Sequence, residues 1–178
     1  MNAPQSLNSR SLAARPVLRF WSMALMGSAV LAASAQVSLP MWPVPATLQT
    51  LAVLLLGALG GPRMGVAAVT LYLAEGAAGL PVFAHGTGGP AVLMGPTAGF
   101  LLGFLASAGI AGLSGRGAMR QAAVLTIAHL AVFIPGVIWL STFVGLEKAW
   151  TAGFLLFLPG TAVKAALAFA TLRALRRG

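Results

Sequence analysis

Where the charges fall constrains this chain more than any other feature. Six long apolar runs, residues 20–37, 47–61, 64–80, 97–113, 122–143 and 151–172, are joined by turns that hold nearly all of the basic residues. Nine of these (Arg10, Arg15, Arg19, Arg63, Arg116, Arg120, Arg173, Arg176 and Arg177) belong to alternate turns and the two ends, and Lys148 faces them alone from the opposite side. Short loops on the cytoplasmic face of a membrane protein collect Lys and Arg. The pattern therefore predicts a single-domain, all-α integral membrane protein: a bundle of six transmembrane helices with both termini in the cytoplasm.

Composition agrees, since 58% of the residues are apolar and 7% charged, where a soluble domain carries about 25% charged residues. A net charge of +9 can signal nucleic acid, but these basic residues sit at the ends of apolar runs and form no continuous face, so nucleic acid is not expected. There is no cysteine, which excludes disulfides and thiol chemistry. Residues 1–19 read as a mobile basic arm. The first run is preceded by arginines and ends near Ala33-Ser34-Ala35, like a signal peptide, but its 18 residues suffice to span. It is read as a retained first span.

That first span carries two rows of small residues, Ala24-Ser28-Ala32 and Ala29-Ala33. Such rows let helix backbones approach closely in lipid, either within one bundle or against another membrane protein. Residues 38–46 follow, with three prolines and an interfacial Trp42, and should lie outside. The second and third spans meet at a turn around Gly60-Gly61-Pro62-Arg63. Residues 79–104 contain seven glycines and three prolines and almost no charge; they form either a tight connection or a ligand-closing loop. The fifth span should kink at Pro135-Gly136, and Glu147 with Lys148 should cap an outer loop. In the last run a re-entrant stretch is expected ahead of a short helix that opens near Pro159, with Thr161 as N-cap accepting from the Lys164 N–H.

Candidate chemistry is sparse. Inside the spans stand Tyr72, Glu75, His129 and Lys164, and a charge there costs about 2.5–3.5 kcal/mol or more. Glu75 lies eleven residues beyond the start of its span, about 17 Å deep at 1.5 Å per residue. Lys164 near a helix N-terminus suits a carboxylate or carbonyl oxygen, unless it forms an ion pair with Glu75. His129 and His85 are undecided between a backbone partner and a role. No paired carboxylates, metal-ligand spacing, Ser-His-Asp set or P-loop is present, so neither an enzyme nor a metal or cofactor site is expected. From residues alone the reading is a six-span protein binding a small, partly apolar ligand with an acidic or carbonyl group; a proton-coupled secondary transporter or channel relaying through Glu75 and His129 is the rival.

Several blocks then become specific together. PATLQTL at residues 45–51, GPRMG at 61–65, LYL at 71–73, GLPVFA at 79–84, Gly88-Gly89, GPTAGFL at 95–101 and FLPG at 157–160 with Lys164 resemble the BioY family, the substrate-binding S components of energy-coupling-factor (ECF) biotin transporters. The resemblance implies an S-component fold in a bacterial plasma membrane, with biotin bound towards the extracellular face. It implies as partners a transmembrane coupling protein, the T component, and two cytoplasmic ATPases. Lys164 is then expected at a polar end of biotin, Thr161 at the ureido ring, and Phe83 and Phe100 on the apolar parts, with Thr97 nearby. Gly86, Gly88 and Gly89 let the loop close, and Gln49, Tyr72 and Glu75 are secondary candidates. Ala29 with Ala33 matches the family's Ala-x-x-x-Ala row, which meets the coupling protein. Two departures stand out. Where the last helix commonly opens Pro-Gly-Asp, this chain has Pro159-Gly160-Thr161, and Phe100 stands where a Tyr is usual.

Overall fold

The computed structural model describes the backbone of residues 7–175 and the side chains of residues 16–175. Arg176, Arg177 and the first residues of the basic arm lie outside them, as do the side chains of Arg10 and Arg15. Helix α1 spans Leu7–Gln36. It therefore runs back through most of the stretch read as a mobile arm, where Leu, Ala and Arg are good helix formers. A two-stranded ribbon, β1 (Ser38–Leu39) against β2 (Ala46–Thr47), closes the turn into α2, Gln49–Ala77.

Although α2 has the length of one long helix, it is a hairpin. Gly61 breaks it with φ 81° and ψ 171°, a conformation that favours glycine, and Pro62 opens the second arm. A Cβ on Gly65 would stand 2.7 Å from the Gly57 Cα. In a straight helix those residues would be about 12 Å apart. The bare backbones of Gly57 and Gly65 let the two arms close on each other and on α4, because a Cβ on Gly57 would strike the Ala108 carbonyl oxygen. The second and third spans are these two arms.

The glycine-rich stretch holds a 3₁₀ turn, Ala84–Gly86, and a one-turn α3, Pro90–Leu93, before α4, Ala98–Ala111. Helices α5 (Ala118–Ala131) and α6 (Phe133–Val144) form one apolar rod broken at Val132. The break is the expected proline kink displaced towards the N-terminus. Pro135 donates no N–H to the Ala131 carbonyl and crowds it, so the distortion precedes the proline.

The last run departs further from expectation. Glu147 and Lys148 lie in the first turn of a helix, α7 (Leu146–Gly153), not in a loop. Irregular backbone is confined to residue 154 and the 3₁₀ turn Leu155–Phe157, after which α8 runs Leu158–Leu175. Since α8 already begins at Leu158, Thr161 sits inside its first turn and cannot be its N-cap. Pro159 does occupy the first turn, where its missing N–H is harmless.

These elements make six helical passes: α1, the two arms of α2, α4, the α5–α6 rod and the α7–α8 segment. Large aliphatic residues such as Met26, Leu59, Leu102, Ile134 and Val163 cover the outside, while Ser28, Gln49, Tyr72, Gln121 and His129 are buried. Apolar outside with polar inside is the arrangement lipid demands. The bundle has two unlike ends. At one, Gly112 packs on the Gly61–Pro62 turn, Arg173 donates to the Arg116 carbonyl at 3.4 Å, and Arg120 donates to the Leu113 carbonyl at 3.1 Å. The loops gather at the other, where the Lys148 ammonium lies 4.2 Å over the Trp42 ring and the Trp139 N–H donates to the Gly95 carbonyl at 2.9 Å.

Candidate ligand site

Beneath those loops lies a cavity of about 230 Å³. Its wall is aromatic: Phe83, Phe100, Phe104, Phe133 and Phe157 all line it. The rings brace one another. Phe100 stacks on Phe157 at 6.4 Å, and Phe133 meets Phe100 edge-on at 6.2 Å. Outside the cavity, Phe154 meets Phe133 edge-on at 5.2 Å, so the irregular stretch before α8 serves to carry Phe154 and Phe157 inward.

Few polar groups interrupt this wall. Lys164, one turn after Thr161 on α8, reaches across to the start of α2 and donates to the Thr47 carbonyl at 2.7 Å and to the Thr50 hydroxyl at 3.2 Å. An ammonium has three donors, so one remains for the cavity that Lys164 lines. Its protein partners are neutral, and the Glu75 ion pair weighed from the sequence is not formed. Thr161, 6% exposed, lines the same cavity, and so do Gln49, at the head of α2, and Thr97, which caps α4.

Other expected residues lie elsewhere. Tyr72 is fully buried behind the wall: it accepts from the Gln49 amide at 2.6 Å and meets the Phe83 ring edge-on at 5.4 Å. It positions Gln49 and Phe83 and does not line the cavity. Glu75 turns towards α1, where the Ser28 hydroxyl donates to its carboxylate at 3.0 Å, because its position on the second arm of α2 faces that helix. Among the described residues no hydrogen-bonded path joins Glu75 to His129, as the proton-relay rival requires. Gly86, Gly88 and Gly89 also lie outside the lining. They shape the loop instead: Gly86 and Gly89 have φ of 67° and 94°, and a Cβ on Gly88 would meet the Leu80 carbonyl oxygen.

The loop is tied to α1 by Gln36. Its amide donates to the Phe83 carbonyl at 3.1 Å, and its oxygen accepts from the Gly86 N–H at 3.0 Å. His85 and Thr87 are exposed on the cavity's rim. On α1 the two small-residue rows separate: Ala24 and Ser28 are buried in the bundle, whereas Ala29 and Ala33 are exposed.

Sequence reasoning passed over Thr47 and Thr50, which hold Lys164, and Phe104, Phe133 and Phe157, which build the wall. Thr47 acts through its carbonyl, which no sequence pattern marks. Thr47, Thr50 and Phe157 all stood in quoted motifs, and those motifs were the available signal. His129, left undecided above, proves to be a lining residue.

A polytopic helical membrane protein with an aromatic-walled, cation-bearing cavity under a pinned loop is built as a binder of small molecules. The chain belongs to the BioY family, whose model matches residues 5–178. A probable biotin transporter BioY of Pyrococcus horikoshii is 40% identical over 147 residues, covering 83% of this chain and 90% of that protein. The biotin transporter BioY of Rhodobacter capsulatus is 38% identical over 139 residues, or 68% of this chain and 73% of the relative. Among solved structures, the crystal structure of the S component for biotin from an ECF-type ABC transporter superposes with a TM-score of 0.82 at 25% identity, covering 92% of this chain and 94% of that one.

Proposed function

We propose that this chain is the biotin-binding S component of an ECF transporter, taking biotin from the extracellular side. Delivery then depends on two cytoplasmic ATPases and on a T component, which docks where Ala29 and Ala33 face outward. The observation that carries the reading is Lys164, a cation held inside the bundle with one donor left towards an aromatic cavity, in a chain of the BioY family. Biotin has an apolar body for the phenylalanines and polar atoms at both ends. The ammonium and the Thr161 hydroxyl serve the ureido ring, and the loop of residues 79–97 closes above.

Isothermal titration of the purified chain with biotin tests this directly. The parent should bind saturably, and Lys164→Ala should bind about tenfold more weakly or worse, as expected when a hydrogen bond from a charged donor worth about 1.5–3 kcal/mol is removed. Equal affinity in the two proteins would refute the assignment of Lys164. No heat and no biotin-dependent rise in melting temperature in the parent would refute the function itself.

A further inference from the structure

His129 is 2% exposed and lines the cavity from α5, on the helix that packs against α8. Its ring lies parallel to Phe133, 6.3 Å away with 8° between planes. A histidine kept only for packing satisfies its nitrogens on neighbouring backbone, but Nδ1 here finds no hydrogen-bond partner among the described residues. Leaving a buried ring nitrogen unpaired is costly. Nδ1 is closed off as the ring stands, but the ring lines the cavity, and turned about its Cβ–Cγ bond it can take from a bound ligand the partner it lacks.

We propose that His129 is a ligand-positioning residue whose imidazole hydrogen-bonds the ureido ring of biotin together with Thr161 and Lys164. This rests on the biotin reading above. Apart from Thr161 and Lys164, two of whose donors Thr47 and Thr50 already take, the wall near His129 is apolar, with Phe104, Val132 and Phe133 lining the same cavity. Such surroundings accept a neutral polar group far more readily than a carboxylate. A cyclic urea is neutral and offers both N–H donors and a carbonyl acceptor, and a neutral imidazole offers one of each. The carboxylate end is then left to the rim, near the exposed His85 and Thr87.

Because the chain has only two histidines, ¹⁵N-histidine labelling of the full chain in nanodiscs reports on His129 once His85→Gln has assigned the other ring. Saturating biotin should move the His129 ring-nitrogen resonances, an effect that packing alone does not produce. In titrations His129→Phe, which keeps the stacked ring shape, should bind biotin about tenfold more weakly, while His129→Gln, which can still hydrogen-bond, should stay within about threefold. Biotin methyl ester, which keeps the ureido ring and lacks the carboxylate, should show the same dependence on His129. Unmoved resonances at saturation, undiminished affinity in His129→Phe, or a loss that vanishes with the ester would each overturn the proposal while leaving biotin binding intact. Failure of the parent to bind biotin would instead overturn the function on which it rests. Should His129→Phe not fold, the labelled parent decides alone.

Discussion

At the scale of single residues, the cavity is held open by contacts that tolerate no extra atom. Gly136 on α6 lies so close to the Phe100 ring that a Cβ there would overlap it. Gly136→Ala must therefore drive Phe100 from the rotamer in which it stacks on Phe157. Overpacking of this kind costs about 1–3 kcal/mol. The expected outcome is a lower melting temperature together with weaker biotin binding; a melting temperature and affinity matching the parent would show that Phe100 is free to move. Lys164 was legible in the sequence because a cation among apolar residues is conspicuous, and its neighbour Thr161 came with the motif. Glu75 was as conspicuous and misleading. Depth in the membrane is legible from residue count, but the direction a helix faces is set by packing, and that packing hands Glu75 to Ser28.

At the scale of elements, what could be read depended on how local the cause was. The turn between the arms of α2 was legible because glycine and proline at residues 60–62 fix it within four residues. The break before α8 was not, since Phe154 and Phe157 leave the helix to pack against Phe133, a partner more than twenty residues away. The glycine-rich loop, ambiguous in sequence between connection and lid, is fastened at one identifiable point. Gln36 at the end of α1 holds the backbone on both sides of the 3₁₀ turn Ala84–Gly86. Gln36→Ala removes both bonds without touching the cavity wall. Each is worth about 0.5–1.5 kcal/mol, so with both lost biotin dissociation should quicken by roughly fivefold to 150-fold, with the association rate little changed. Stopped-flow exchange against unlabelled biotin measures it, and an unchanged dissociation rate would mean that Gln36 does not restrain the loop.

At the scale of the whole molecule, the two ends are unlike, and the proposed function puts the basic end in the cytoplasm. The chain lacks cysteine, so single cysteines can be read against a silent background. Lys148→Cys at the loop end should react with a membrane-impermeant maleimide in intact cells, and Arg116→Cys at the basic end only after permeabilisation; the reverse pattern would invert the topology. On the proposed function, α1 would link the ligand to the coupling machinery. Its end holds the loop through Gln36, its inner row is buried against the second arm of α2, and its outer row of Ala29 and Ala33 is left uncovered by the other described residues. In lipid an uncovered small-residue row gains nothing from the hydrophobic effect. It gains only from a second helix that comes close enough for backbone contact. Replacing Ala29 and Ala33 together by leucine would keep that face compatible with acyl chains and leave the buried side of α1 unaltered. Biotin affinity of the isolated subunit should then equal that of the parent, while biotin uptake by cells supplying the T component and both ATPases should fall to background. Undiminished uptake would move the docking surface elsewhere, and a parallel loss of binding would show that the outer row serves the fold of the subunit itself.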